Sequence, residues 1–174
     1  MTMSRIKTEV ISWTKEIAFI LIFVFILNQV VIVNAYIPSG SMENTMMIGD
    51  RVIAFRLSYE FSDPKRSDII VFSPPDGEPD LYIKRIIGVP GDIVEIKDGI
   101  VYINNEILED DSSYVKGEPF GNFGPYNVPE ESYFVMGDNR NGSIDSRSWQ
   151  NTFVPKDKIV GKAIFRYFPN FNTF

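Results

Sequence analysis

The chain of 174 residues contains neither histidine nor cysteine. A Ser-His-Asp triad, a Cys-His dyad and a zinc site with histidine or cysteine ligands are therefore excluded. If the chain performs hydrolysis with a side-chain nucleophile, lysine is the natural general base for a serine. In Ser-Lys pairs the lysine takes the serine proton, as histidine does in a Ser-His-Asp triad.

The chain also lacks an excess of basic residues. Its 17 lysines and arginines are outnumbered by 23 aspartates and glutamates, giving a formal net charge of -6. Nucleic-acid binding requires a clustered basic surface, so this balance argues against nucleic acid as a partner. The length suffices for one compact domain with an additional segment.

One apolar run near the N-terminus contains no charged residue and extends from Ile17 to Val33. A membrane span needs about 20 apolar residues, with a lower limit near 17, so the run is long enough to cross a bilayer. Three basic residues precede it, and the next one along the chain is Arg51. The positive-inside rule therefore predicts a cytoplasmic N-terminus.

We predict three parts: a cytoplasmic tail over residues 1–16, a transmembrane signal anchor over 17–35 and an extracytoplasmic domain over 36–174. The predicted location is the cytoplasmic membrane, crossed once. Two alternatives stay open for the apolar run. It is a cleaved signal peptide if Val33-Asn34-Ala35 serves as a small-residue cleavage site. In the other alternative the run is a buried core helix, since its few polar residues would leave it no solvent-facing side.

Short apolar runs separated by turn residues follow the anchor. The Asp98-Gly99 pair between two of them predicts a hairpin. The pattern as a whole predicts a mainly β fold, an antiparallel β barrel or coiled sheet. Residues 104–131 are predicted to form an irregular excursion or a small ribbon. The predicted strands are 51–57, 68–72, 81–87, 93–96, 100–103, 133–136 and 159–165.

The first candidate for chemistry is the serine motif Ser39-Gly40-Ser41, directly after the anchor. Gly40 allows a sharp turn that presents a serine hydroxyl and backbone N–H groups to a substrate. A solvated turn without catalysis is the alternative for so short a motif.

The second candidate is Lys84, within an apolar run and on the same predicted strand face as Tyr82 and Ile86. Burial disfavours the charged form of a lysine and lowers its pKa, so a neutral Lys84 would be suited to accept the Ser41 proton. The local pattern alone favours the alternative, an edge strand on which an exposed lysine prevents aggregation.

The third candidate is the polar stretch from Gly137 to Arg147. It is rich in turn-forming residues and carries opposite charges at Asp145 and Arg147, which suits a rigid loop held by ion pairs. A plain surface loop is the alternative.

Together and in this order, these blocks resemble the bacterial type I signal peptidases, membrane-anchored serine proteases of the Ser-Lys class. The resemblance covers most of the chain, and its short excursion is similar to the compact form found in Gram-positive bacteria. The matching blocks are the anchor, 37–42, 49–50, 67–72, 82–92 and 137–140, with Ser143, Asp145, Ser146 and Arg147.

The resemblance implies a role for each matching residue. Ser41 is the expected nucleophile and Lys84 its general base. The Ser39 hydroxyl and the Ser41 backbone N–H are the expected oxyanion hole, and Ser143 is expected to orient Lys84. Asp145 and Arg147 match a structural ion pair. The residues that match pockets for small side chains are Ile37, Pro38, Met42, Met46, Tyr82 and Ile83.

The implied function is removal of signal peptides from exported preproteins after an Ala-X-Ala-like site, with no metal or organic cofactor. The implied partners are preproteins and the phospholipid membrane, and the oligomeric state is open. One departure stands out: the family's usual Ser-Met-X-Pro-Thr-Leu is replaced by a segment with Asn44 and Met46. Loss of the proline is expected to loosen the loop after the nucleophile.

Three other functions stay open. The first is a self-cleaving Ser-Lys regulator of the SOS-repressor type, which the anchor and the acidic charge oppose. The second is a secreted β-rich binding module in which Ser41 and Lys84 are replaceable. The third is a family member whose activity is lost or narrowed, given Asn44.

Overall fold

The computed structural model describes residues 3–109 and 114–174. It begins with helix α1 (Met3–Ile26), which continues into a π-helical turn (Leu27–Val31). The 23 residues Glu9–Val31 are long and apolar enough to cross a membrane, and the described part of the chain buries none of them. At 1.5 Å per residue such a segment is about 35 Å long, which exceeds the hydrocarbon core of about 30 Å.

The helical segment ends at Val31, four residues before the boundary predicted at residue 35. Strand β1 (Ile32–Tyr36) follows immediately and pairs antiparallel with β2 (Arg51–Phe55) along its whole length. β-Branched residues dominate the junction and favour extended backbone, and β2 supplies the hydrogen bonds that an isolated strand would lack. Residues 32–35 of the predicted anchor therefore belong to a strand of the β fold, and the anchor itself stays a prediction.

The described residues contain two antiparallel sheets. The further strands are β3 (Ile69–Phe72), β4 (Tyr82–Gly88), β5 (Ile93–Lys97), β6 (Ile100–Ile103), β7 (Glu106–Ile107), β8 (Phe123–Asn127), β9 (Ser132–Met136), β10 (Val154–Pro155), β11 (Ile159–Phe168) and β12 (Asn172–Thr173). The larger sheet has the order β1-β2-β11-β3-β4-β9-β10, with β12 also on β11, and the smaller has the order β7-β6-β5-β8. The predicted mainly β, antiparallel fold is confirmed.

Strand β11 joins the two halves of the larger sheet. Its first residues pair with β3 and its later residues with β2, and the register shifts between Ala163 and Phe165. A bulge of this kind bends a strand and increases its twist. The long strand therefore lets one sheet carry β1 and β2 on one side and β3, β4 and β9 on the other.

The predicted hairpin joins β5 and β6. Asp98 and Gly99 both have positive φ, 49° and 81°, as a type I′ turn requires. The predicted excursion over 104–131 contributes β7 and β8, which lie at opposite edges of the smaller sheet and do not pair with each other; its residues 110–113 lie outside the described residues.

Candidate active site

The serine motif forms a single 3₁₀ turn over Gly40–Met42, entered from Ser39 in an extended conformation. Met42 is buried in a core cluster with Ile37 and fixes the turn on the larger sheet. Ser41 is only partly buried. Apolar packing of the next residue thus leaves the serine hydroxyl accessible.

Lys84 lies on β4, an interior strand, and is only 5% exposed. The alternative of an exposed lysine on an edge strand is therefore wrong. Its Nζ lies 2.9 Å from Ser41 Oγ and donates a hydrogen bond to Ile83 O at 3.1 Å. Burial lowers the pKa of Lys84 from 10.5 to about 8, although the carboxylates of Asp145 and Asp138 act in the opposite direction. A neutral amine in this position has a lone pair free for the Ser41 proton.

Ser41 and Lys84 line one cleft of about 880 Å³. Residues of β1 and of the segment 79–84 line it as well, together with Gly142 and Ile144. The predicted pocket and oxyanion residues that line the cleft are Ile37, Pro38, Ser39, Met42, Tyr82 and Ile83.

Met46 requires a correction, because it does not line the cleft. Its side chain is fully buried, in the same cluster as Met42 and Ile69. A residue with no exposed surface cannot contact a substrate directly. Met46 instead belongs to the layer beneath the pocket and supports Met42.

Ser143 lies close to the Gly40–Met42 turn but makes no hydrogen bond to Lys84. A Cβ on Gly137 would lie 2.4 Å from both Ser143 Oγ and Ser41 O, so the three residues are packed together. Within the described part of the chain, the buried Ser143 hydroxyl has no hydrogen-bond partner. Its orienting role stays a prediction, as does the role of the exposed Ser39 hydroxyl.

Asp145 and Arg147 form a bidentate ion pair. Arg147 Nε and Nη2 each lie 2.8 Å from a different carboxylate oxygen of Asp145. The fully buried Asp145 also accepts the Gly137 backbone N–H at 3.0 Å, and Arg147 donates to Arg140 O at 2.6 Å. The pair thus connects the two ends of the loop from Gly137 to Arg147, which we call the polar loop.

A second buried ion pair, which the sequence pattern did not predict, lies next to the site. Arg85 Nε and Nη2 contact the two oxygens of the fully buried Asp138 at 2.8 and 2.7 Å. The Thr45 hydroxyl donates to the same carboxylate. Asp138 lies in the block 137–140 that resembles the family. However, 53 residues separate it from Arg85 along the chain, and no local sequence pattern links the two.

Asn44, which replaces the family's usual proline, has a φ of +88°. Proline is fixed near -65°, whereas asparagine tolerates the left-handed region. The Asn44 side chain also donates a hydrogen bond to Val115 O at 3.0 Å. The expected loosening of this loop is therefore opposed by a contact that proline could not make.

Residues 10–168 match the family model described as signal peptidase, peptidase S26, and the chain belongs to that family. It is 46% identical over 139 residues to a probable signal peptidase I-2 of Synechocystis, an alignment that covers 77% of this chain and 62% of that protein. It is 34% identical to a signal peptidase I P of Bacillus subtilis subsp. natto over 95% of this chain and 92% of the relative. A crystal structure of a signal peptidase I from Enterococcus faecalis matches with 35% identity and a TM-score of 0.48, over 58% of this chain and 97% of that one.

The family match confirms the predicted resemblance to signal peptidases. It favours a peptidase over the repressor and binding-module alternatives. The chain spans somewhat less than two thirds of the Synechocystis relative.

Proposed function

We propose that this chain is a membrane-anchored serine endopeptidase that removes signal peptides from exported preproteins after an Ala-X-Ala-like site. The observation that carries the proposal is the 2.9 Å separation of Lys84 Nζ and Ser41 Oγ in an open cleft. Burial of the lysine supports it, because it lowers the pKa of the amine toward the range of a general base. Membership of the signal peptidase family supports the type of substrate.

The proposed reaction proceeds through an acyl-enzyme. Neutral Lys84 takes the proton of Ser41 as Oγ attacks the scissile carbonyl carbon, and the oxyanion accepts hydrogen bonds from the Ser41 N–H and the Ser39 hydroxyl. The Lys84 ammonium then protonates the departing amine as the peptide C–N bond breaks. The regenerated amine activates the water that hydrolyses the ester. No metal or organic cofactor takes part.

A preprotein is proposed to bind the cleft in an extended conformation. Strand β1 lies at an edge of the larger sheet and lines the cleft, so a substrate can add to it as a further strand. Apolar side chains such as Ile37 and Ile83 then border the small residues before the scissile bond.

The segment Glu9–Val31 is proposed to anchor the enzyme, with the basic N-terminus in the cytoplasm and the β domain outside. Cleavage after Ala35, as a secretory signal peptide would require, would sever β1 at a position where it pairs with β2. A retained anchor is therefore favoured over a cleaved one.

The test uses the full chain in lipid with a preprotein that carries Ala-X-Ala. Wild type, Ser41→Ala and Lys84→Ala are compared, with Lys97→Ala as a control for loss of an exposed strand lysine. We expect wild type and the control to release a product whose new N-terminus follows the Ala-X-Ala site, and both dyad variants to be inactive. Equal cleavage by the dyad variants, or none by wild type, would contradict the proposal.

A further inference from the structure

Asn139, which follows β9 in the polar loop, holds both peptide groups that flank the Ser41 Cα. Its backbone N–H donates to Ser41 O at 3.0 Å. Its side-chain Nδ2 donates to Gly40 O, also at 3.0 Å.

The contact with Gly40 bears on the proposed oxyanion hole. Gly40 C=O and Ser41 N–H belong to one planar trans peptide, in which the two groups point in opposite directions. Fixing the Gly40 oxygen on the side of the loop therefore fixes the direction of the Ser41 N–H as well. Donors held in place before the reaction stabilise an oxyanion without reorganisation.

We propose that Asn139 is a positioning residue that aims the Ser41 N–H at the oxyanion; the inference rests on the proposed peptidase function. Gly40 O also accepts the Glu43 N–H at 3.2 Å. Two donors on one carbonyl polarise the peptide, which strengthens its N–H as a donor.

The Asn139 side chain is itself fixed. Its Oδ1 accepts the Gly142 N–H at 3.2 Å, so the amide nitrogen is the end directed at Gly40. A Cβ on Gly142 would lie 2.7 Å from Asn139 Nδ2, which shows how closely the loop surrounds the amide. The preceding residue, Asp138, is locked in the buried pair with Arg85. The amide is therefore held at both ends, at Oδ1 by the Gly142 N–H and at Nδ2 by Gly40 O.

Two substitutions separate the side-chain contact from the rest of the loop. Asn139→Asp is isosteric and keeps an acceptor for the Gly142 N–H but loses both amide donors. Asn139→Ala loses the donors without adding a charge, and both variants keep the backbone N–H that reaches Ser41 O. Asn141→Ala is the matched control, because the Asn141 amide donates to Glu118 O, outside the nucleophile turn.

The readouts are kcat and KM for preprotein cleavage, the pH profile, and the affinity for a peptide boronate that forms a tetrahedral adduct with serine. Rates are normalised to the folded fraction from denaturant unfolding. We expect kcat to fall about 10- to 100-fold in both Asn139 variants, somewhat less than the loss of a direct oxyanion donor. Boronate affinity should fall in parallel, while KM, the apparent pKa and the Asn141→Ala rates stay near wild type.

Unchanged kcat and boronate affinity in both Asn139 variants would overturn the inference while leaving the peptidase intact. So would a loss of kcat that comes with a shifted pH profile, since Asn139 would then act through Lys84. Failure of the proposed function gives a different result: wild type would not cleave, or Ser41→Ala would cleave equally well, and the inference would fall with it.

Discussion

At the scale of single residues, the environment of Lys84 sets its chemistry. Desolvation favours the neutral amine, whereas Asp145 and Asp138 favour the ammonium. Each carboxylate is also engaged by an arginine, Arg147 or Arg85. Desolvation therefore prevails, and the pKa of Lys84 falls to about 8 rather than remaining near 10.5.

The first prediction concerns the pH dependence of cleavage. Below a pH of about 8 Lys84 is mostly protonated and cannot accept the Ser41 proton, so kcat/KM should rise with pH and level off above that value. The measurement is kcat/KM from pH 6 to 10 on a substrate without titratable side chains. Lys84→Arg should be inactive throughout, because arginine does not deprotonate in this range. A flat wild-type profile would argue against lysine as the base.

The second prediction concerns Asn44, whose φ of +88° proline cannot adopt. Asn44→Pro should lower the free energy of unfolding by more than about 1 kcal/mol and reduce kcat, although proline is the family's usual residue. Asn44→Gly is the control, since it allows the positive φ and loses only the bond to Val115 O; we expect it to cost about 1 kcal/mol or less. Denaturant unfolding distinguishes the two. A more stable Asn44→Pro would mean that the loop adopts another conformation readily.

At the scale of elements, β4 presents two neighbouring cationic residues to opposite faces of the sheet. Lys84 contacts Ser41, and Arg85 contacts Asp138. The ion pair connects β4 to the polar loop that holds the nucleophile turn, because Asn139 next to Asp138 donates to Ser41 O. Strand β4 thus carries the proposed base and also holds the loop that contacts Ser41.

The third prediction follows from the burial of that ion pair. Arg85→Met leaves the Asp138 carboxylate buried without its partner and should destabilise the fold by about 3–5 kcal/mol. Lys156→Met is the control: its partner Asp63 has a 78% exposed side chain, so the change should be within about 1 kcal/mol. Urea unfolding provides both values. Equal effects would mean that water reaches Asp138.

The sequence predicted those parts of the fold and site that depend on local pattern. The Asp98-Gly99 turn is an example, because type I′ geometry is encoded in two adjacent residues. Strand β1 was missed, since its apolar residues continue the membrane run without a break and only pairing with β2 distinguishes it. The burial of Met46 and the hydrogen bond from Asn139 to Gly40 O depend on residues that are distant along the chain. No pattern within a single sequence reveals such contacts.

At the scale of the whole molecule, the anchor and the cleft are directly joined. Helical structure ends at Val31, β1 begins at Ile32, and residues lining the cleft begin at Val33. Five residues of strand extend about 17 Å. The proposed active site therefore lies within a short distance of the end of the proposed anchor.

The fourth prediction is that β1 belongs to the catalytic domain rather than to the anchor. Val33 is buried in a cluster with Ala54 and Val71, so removing β1 exposes the β2 edge as well as one side of the cleft. A chain that begins at Ile32 should fold and cleave a short Ala-X-Ala peptide, whereas a chain that begins at Ile37 should be less stable and inactive. The measurements are kcat/KM on the peptide and denaturant unfolding of both chains. Full activity from Ile37 would show that β1 is dispensable and would restore the alternative of a signal peptide removed after Ala35.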